Sequence, residues 1–351
     1  MHVPDGFIDA PVSIAAGVAA AGAVAVSLRG ARRELEDSAA PLAGLVAAFI
    51  FAVQMLNFPV AAGTSGHLLG GALAAILVGP YTGVLCVSVV LLMQGVLFAD
   101  GGLTALGVNV MNMAVVTVLV AYAVFRGLVK VLPKTRRSVT AAAFTGALVS
   151  VPGAAVMFTL VYALGGTTDV PLAKVFTAMV GVHVLIGIGE AVITAATVGA
   201  VLAVRPDLVH GARGLSTPLK LRVGGELVDA PAAAPAAPVS GPRSTKPVWI
   251  TGLVTALVLA GFVSYYASAS PDGLEKVAAD KGIDQNEREH AAANSPLADY
   301  SVKDVADTRL SGGLAGVIGV GATVAVGTGI FWSVRRRRAE DLTATSTSAA
   351  G

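Results

Sequence analysis

The sequence predicts an all-α polytopic membrane protein, a seven-helix bundle followed by a two-helix C-terminal hairpin with an extracytoplasmic loop. Three observations predict it. The 351 residues are 55% hydrophobic and only 13% charged. No Lys, Arg, Asp or Glu occurs between Asp37 and Asp100, or between Arg137 and Asp169, and only Glu190 does between Lys174 and Arg205. These runs are continuous rather than alternating, so they fit bilayer-spanning helices of roughly 20 residues and not barrel strands.

The first apolar run, 10–28, has the charge order of a retained span. Asp5 and Asp9 precede it and Arg29, Arg32 and Arg33 follow, whereas a signal peptide carries its positive charge first. Met1 and His2 are therefore expected on the mature protein, outside the membrane. Further spans are expected at 39–57, 67–79, 81–98, 104–130, 139–164 and 172–203. The third is short and ends at Gly79-Pro80, so it must be tilted or enclosed by its neighbours. With seven spans, the basic clusters Arg29/Arg32/Arg33, Lys130/Lys134/Arg136/Arg137 and Arg205/Arg213/Lys220/Arg222 share the cytoplasmic side. The opposite loops, 58–66, 99–103 and 165–171, carry no Lys or Arg.

Four regions follow from this pattern: a membrane-embedded unit over 1–205, a Pro/Ala-rich cytoplasmic linker over 206–246, a hairpin over 247–338 and a disordered tail over 339–351. The hairpin has spans at 248–266 and 312–334 around a polar loop of about 268–311, and ends in Arg335–Arg338. In the first span Ala15, Ala19 and Ala23 form a small-residue face suited to close helix packing, within the chain or with a partner. The net charge of +2 points to no nucleic acid, and lone Cys86 in an apolar run builds no disulfide or thiolate cluster.

His2 carries the first chemical signal. The Met1 α-amine, the His2 amide once deprotonated and the His2 imidazole offer three nitrogens in two fused chelate rings, a planar set suited to Ni(II), Cu(II) and low-spin Co(II). His67, in Gly63-Thr64-Ser65-Gly66-His67-Leu68-Leu69-Gly70-Gly71, lies on the same predicted side and has the reach to supply a fourth nitrogen; the alternative is a helix-starting histidine bound to a carbonyl. Gln54, Asn57, Gln94, Asp100, Asn109 and Asn112 fall near the outer ends of spans. Asn109 and Asn112, three apart, share a helical face. These polar groups either tie helices together or orient and shield the site. His183 and Glu190 share one face of the seventh span at a depth that keeps them out of it. His210 falls in the cytoplasmic segment, and His290 lies in the charged outer loop beside Glu287 and Glu289, where it is either simply solvated or part of a weak capture site for divalent ions. Asp272 and Glu275 fit equally a weak divalent-ion capture role for this loop or a turn and helix start.

Several spaced motifs agree in order with a known family. Met1-His2-x-x-Asp5-Gly6-Phe7, then Gly66-His67-Leu68-Leu69-Gly70-Gly71-Ala72, then Gln94-x-x-x-Phe98-x-Asp100-Gly101-Gly102 and Leu106-Gly107-x-Asn109-x-x-Asn112-Met113, resemble the cobalt/nickel substrate-specific components (CbiM/NikM type) of energy-coupling-factor ABC transporters. The resemblance covers about 1–205. Ser270-Pro271-Asp272-Gly273-Leu274-Glu275 resembles the PDGLE domain of the small N component of such systems, so the chain looks like a fusion of the two.

The resemblance implies a substrate-binding bundle in a cell membrane. Co²⁺ or Ni²⁺ would be held as substrate, with no resident cofactor, by the Met1 amine, the His2 amide and imidazole and the His67 imidazole. It also implies a transmembrane coupling subunit and two ATP-binding cassette ATPases as partners. This chain has no Walker A sequence of its own. Ligand deprotonation makes uptake fall sharply as pH drops below the histidine pKa region. A vitamin-binding specificity component and an integral membrane enzyme are the competing readings, and no nucleophile–base pair or carboxylate dyad in the spans favours the second.

Overall fold

The computed structural model describes residues 1–35, 39–61, 63–213, 220–223, 226–229 and 244–349. Residues 1–9 run as an extended plug rather than as a tail. Asp9 then caps α1 (Ala10–Glu34) by accepting from the Val12 amide at 2.9 Å, with Pro11 in the first turn, where its missing N–H is harmless. Buried Glu34 closes the other end of α1. It accepts from the amides of Tyr81 and Thr82, which open α4 (Pro80–Leu97), at 3.2 and 2.7 Å. A carboxylate there complements the N-terminal end of the α4 dipole and fastens α1 to α4.

After α2 (Ala39–Gln54) the chain departs from the expected all-helical pattern. A short antiparallel hairpin, β1 (Phe58–Ala61) with β2 (Thr64–Gly66), replaces a plain loop. The expected third span at 67–79 is helical only in part. Residues 67–70 are irregular and buried, and only α3 (Gly71–Val78) is helical. Its eight residues reach about 12 Å, far short of a bilayer core. The short helix survives because it is enclosed. All eight of its residues are buried, against α2, α4, α6, α7 and α8. Gly79, at φ 101°, turns the chain straight into α4, a backbone conformation that residues with a Cβ rarely adopt.

The fifth expected span is one long helix built of α5 (Leu106–Asn109), a π-helical stretch Val110–Val116 and α6 (Thr117–Val131). Next come α7 (Arg136–Gly165) and α8 (Leu172–Val204), which pack along each other. In the predicted linker, two 3₁₀ turns (Pro206–Leu208 and His210–Ala212) and a hairpin of β3 (Lys220–Val223) with β4 (Glu226–Asp229) stand where an extended chain was expected. Residues 214–219, 224–225 and 230–243 lie outside the described residues. His210 sits in the second turn, half-buried, its ring 6.4 Å from that of Tyr122.

The C-terminal hairpin is α9 (Lys246–Gly261) with a 3₁₀ turn to Tyr266, and α11 (Thr308–Ala349); both pack on α2. α11 runs helical through the segment expected to be a disordered tail, up to Ala349. Between them the polar loop holds α10 (Gly273–Lys281). Among the described residues, seven helices are long and apolar enough to cross a membrane: α1, α4, the 106–131 helix, α7, α8, α9 with its 3₁₀ turn, and α11. With the shorter α2 and α3 these make the expected seven-plus-two arrangement.

One end of the bundle gathers the plug and the loops. Phe7 accepts from the Thr167 amide at 3.1 Å, Val3 from Gly102 at 2.9 Å, and Asp5 from Arg288 at 2.9 Å. The polar loop between α9 and α11 lies over this end. Ser65 donates its amide to Pro271 at 2.8 Å, Ser268 to Asn57 at 2.7 Å and Asp299 to Phe98 at 2.9 Å.

Candidate metal site

The plug brings the first two residues into the protein. Its anchor is Asn109, whose side chain pairs with both backbone groups of Val3, accepting from its amide at 2.7 Å and donating to its carbonyl at 3.1 Å. Asp5 adds a second fastening. Its carboxylate accepts from the amides of Leu103 and Thr104 at 3.3 and 2.7 Å, and from the Thr104 hydroxyl. Gly101, at φ 79°, sits against His2, and a Cβ there would stand 3.1 Å from that of His2. Met1 ends up 2% exposed and His2 9%.

The Met1 amine lies 2.8 Å from Nε2 of His67 and 2.5 Å from Oδ2 of Asp272. His67 Nε2 and Asp272 Oδ2 are 3.5 Å apart. His67 turns its other nitrogen, Nδ1, to the Leu68 carbonyl at 3.0 Å, which leaves Nε2 aimed at the amine. The His2 ring stacks on that of His67, with centroids 5.1 Å apart and planes 17° from parallel. Its Nδ1 faces Asp100 at 3.1 Å and its Nε2 faces Gln94 at 3.1 Å. His2, His67 and Asp272 each offer a ligand atom within 4.8 Å of the others.

The electrostatics follow from burial. Loss of water pushes the His2 imidazole down to about 4; the Asp100 carboxylate works against this and the Met1 ammonium with it. Burial alone would raise the Asp272 carboxyl, but the Met1 ammonium and His67 outweigh it and hold the group well below the usual carboxylate range. Burial, then the neighbouring Asp100 charge, raise the Tyr300 phenol well above its ordinary value, and its hydroxyl donates to Asp100 Oδ2 at 2.5 Å.

The structure thus brings together Met1, His2 and His67, with Gln94, Asp100 and Asn109 bound to the first three residues. Asn57 borders a cavity of about 590 Å³ that His2 and His67 also line. Asn112 is buried with neither side-chain atom hydrogen-bonded. It falls inside the π-helical stretch, whose wider turn breaks the three-residue alignment with Asn109. Glu190 and His183, expected too deep to take part, lie beside the irregular segment 67–70 and the Met1 amine respectively. Glu190 accepts from the Leu69 and Gly70 amides at 2.7 and 3.1 Å, fixing the segment that carries His67. His183 borders a narrow gap with Met1, His67 and Asp272. His290 is partly buried and pairs with the Gly101 carbonyl at 3.1 Å.

Sequence reasoning did not place Asp272 in this site. Its motif does form the turn and helix start expected of it: Oδ1 accepts from the Glu275 amide at 2.8 Å, and Glu275 accepts in return from the Asp272 amide at 2.9 Å. Oδ2 is left to face the amine.

Helices long and apolar enough to cross a membrane, packed around a buried pocket where an amine, two imidazoles and a carboxylate converge, define a multi-pass membrane protein with a candidate cation site. Residues 2–208 match the family described as the cobalt uptake substrate-specific transmembrane region (CbiM), and residues 246–336 match the PDGLE domain. The chain belongs to the CbiM family, as a cobalt/nickel transport component fused to a PDGLE domain. A relative in Haloquadratum walsbyi is 40% identical over 209 residues, covering 60% of this chain and 93% of its own. The fused nickel transport protein NikMN of Rhodobacter capsulatus is 46% identical over 126 residues, 36% of each chain. A solved structure of a truncated transition metal transporter aligns with a TM-score of 0.51 at 28% identity, covering 58% of this chain and 99% of its own.

Proposed function

We propose that this chain is the substrate-specific component of an energy-coupling-factor ABC importer. It captures Co²⁺ or Ni²⁺ on the outer face through the Met1 amine, the His2 amide and imidazole and the His67 imidazole. The observation that carries this reading is the 2.8 Å approach of the Met1 amine to His67 Nε2, across 66 residues of sequence. That separation is what neighbouring ligands on one small ion require, since bonds of about 2.0 Å at right angles place donors roughly 2.8 Å apart.

Loading the ion rearranges what is there. The amine and the His2 amide give up protons, so binding is coupled to pH. The His2 ring leaves Asp100 so that Nδ1 closes the second chelate ring. Gln94 and Asp100, which now hold the ring, then serve as its resting partners, and Asn109 keeps the backbone in place. A separate transmembrane coupling subunit and two ATP-binding cassette ATPases drive release on the cytoplasmic side. The absence of Lys and Arg from loops 58–66, 99–103 and 165–171 supports placing the plug and the PDGLE loop outside.

The test is Co(II) and Ni(II) binding by the purified chain, by His2→Ala, and by a variant with one alanine inserted between Met1 and His2. Both variants should lose binding and the d–d absorption of a planar nitrogen complex. Unchanged affinity and spectrum in the insertion variant would refute the site.

A further inference from the structure

We infer that Asp272, contributed by the C-terminal domain, is an axial oxygen donor to the captured ion and biases the site towards Co(II). The inference rests on the nitrogen site proposed above and deepens it. Its ground is a triangle of distances. Met1 N and His67 Nε2 are 2.8 Å apart, the spacing of adjacent ligands. Asp272 Oδ2 stands 2.5 Å from the first and 3.5 Å from the second; with bonds of about 2.0 Å these subtend roughly 80° and 120° at the ion, both nearer the right angle of adjacent ligands than the straight line of opposite ones. In a planar set of four, no in-plane position is adjacent to two donors that are themselves adjacent. An atom near both must lie above or below the plane.

The protein also holds that oxygen in place. Asp272 Oδ1 is committed to the Glu275 amide, so Oδ2 alone points at the site. The preceding backbone is tied beside His67: the Ser65 amide donates to Pro271 and the Ser65 hydroxyl to Ser270 at 2.7 Å. Asp272 is 7% exposed and joins His2 and His67 in the sole such group of convergent ligand atoms among the described residues. The chemical consequence differs between the two ions. Low-spin Ni(II) has a filled orbital along the axis and repels an axial donor, whereas low-spin Co(II) has one electron there and accepts one.

The experiment uses the full chain in detergent, with Asp272→Asn and Asp272→Gly. Both replacements keep the helix cap to within a few tenths of a kcal/mol. Co(II) affinity should fall roughly tenfold or more in each, a loss of the size seen even for groups that only support a metal ligand, while Ni(II) affinity changes far less. X-ray absorption of wild-type protein loaded with Co(II) should count five light donors, and of Asp272→Gly four. Four donors in the wild type, equal losses for both ions, or tighter Co(II) binding by Asp272→Asn would each overturn the inference. Failure of the underlying nitrogen site reads out separately, as undiminished binding by His2→Ala.

Discussion

His2 has a base's chemistry in a place that disfavours its charge. Burial lowers its pKa to about 4, against roughly 6.5 for a free imidazole. Between those values the unfolded chain binds a proton that the folded chain refuses. Stability of the ion-free protein therefore falls as pH drops through this window, by up to about 3 kcal/mol from this group. Asp272 adds a loss at still lower pH, because its carboxylate, held below the usual range, must be protonated there. Thermal unfolding of ion-free protein in detergent should show a lower midpoint at pH 5 than at pH 7. His2→Gln should remove about one proton's worth of that slope, and an unchanged slope would mean that His2 is not buried in its neutral form. The same depression keeps the imidazole in the ligand form down to mildly acid pH.

The element that decides the site is the broken third segment. Residues 67–70 present buried amides that no helix satisfies, and Glu190 on α8 accepts two of them. Gln54 at the end of α2 donates to the Leu69 carbonyl at 2.9 Å. Glu190→Ala leaves two buried N–H groups without an acceptor, at about 1–3 kcal/mol each, and frees His67 to move. The expected result is a lower unfolding midpoint together with metal affinity reduced at least tenfold, an outer partner's contribution being roughly 10- to 100-fold. A destabilised variant with unchanged affinity would show that Glu190 serves the fold alone. Much of this region was legible in the sequence. Met1, His2 and His67 stood out by residue type, and the short run ending at Gly79-Pro80 signalled an enclosed segment. The break at His67 was hidden because Leu, Ala and Gly fit a half-helix as well as a span. Asn112 was misaligned by a π turn that no residue pattern announces. Asp272 was masked by its own motif, since Asp-x-x-Glu is fully accounted for as a helix cap until tertiary docking reveals what the second oxygen faces.

On the scale of the whole molecule, the polar loop of the C-terminal domain closes over the plug. It is held by ties spread around the mouth: Ser65 to Ser270, Asn286 Nδ2 to the Thr167 carbonyl at 2.6 Å, and Tyr300 to Asp100. Beneath them lies the cavity of about 590 Å³, bordered by His2, His67, Asp100, Asp272, Glu275 and Glu287, whose carboxylates make it attractive to cations. Shielding of the Met1 amine is therefore a property of the docked pair of domains. In intact ion-free protein the amine should react with a water-soluble acylating ester far more slowly than exposed lysines do. Each tie contributes roughly 0.5–1.5 kcal/mol, so Ser65→Ala, Asn286→Ala and Tyr300→Phe together weaken docking by about 1.5–4.5 kcal/mol. If acylation proceeds through the undocked state, the triple variant should label at Met1 at least tenfold faster, 1.4 kcal/mol being a factor of ten. Labelling is scored by mass spectrometry of the N-terminal peptide, with exposed Lys134, remote from the docked loop, as the internal reference. An equal rate in wild type and variant would mean that the plug protects its amine unaided, and that ions reach it without the C-terminal domain moving aside.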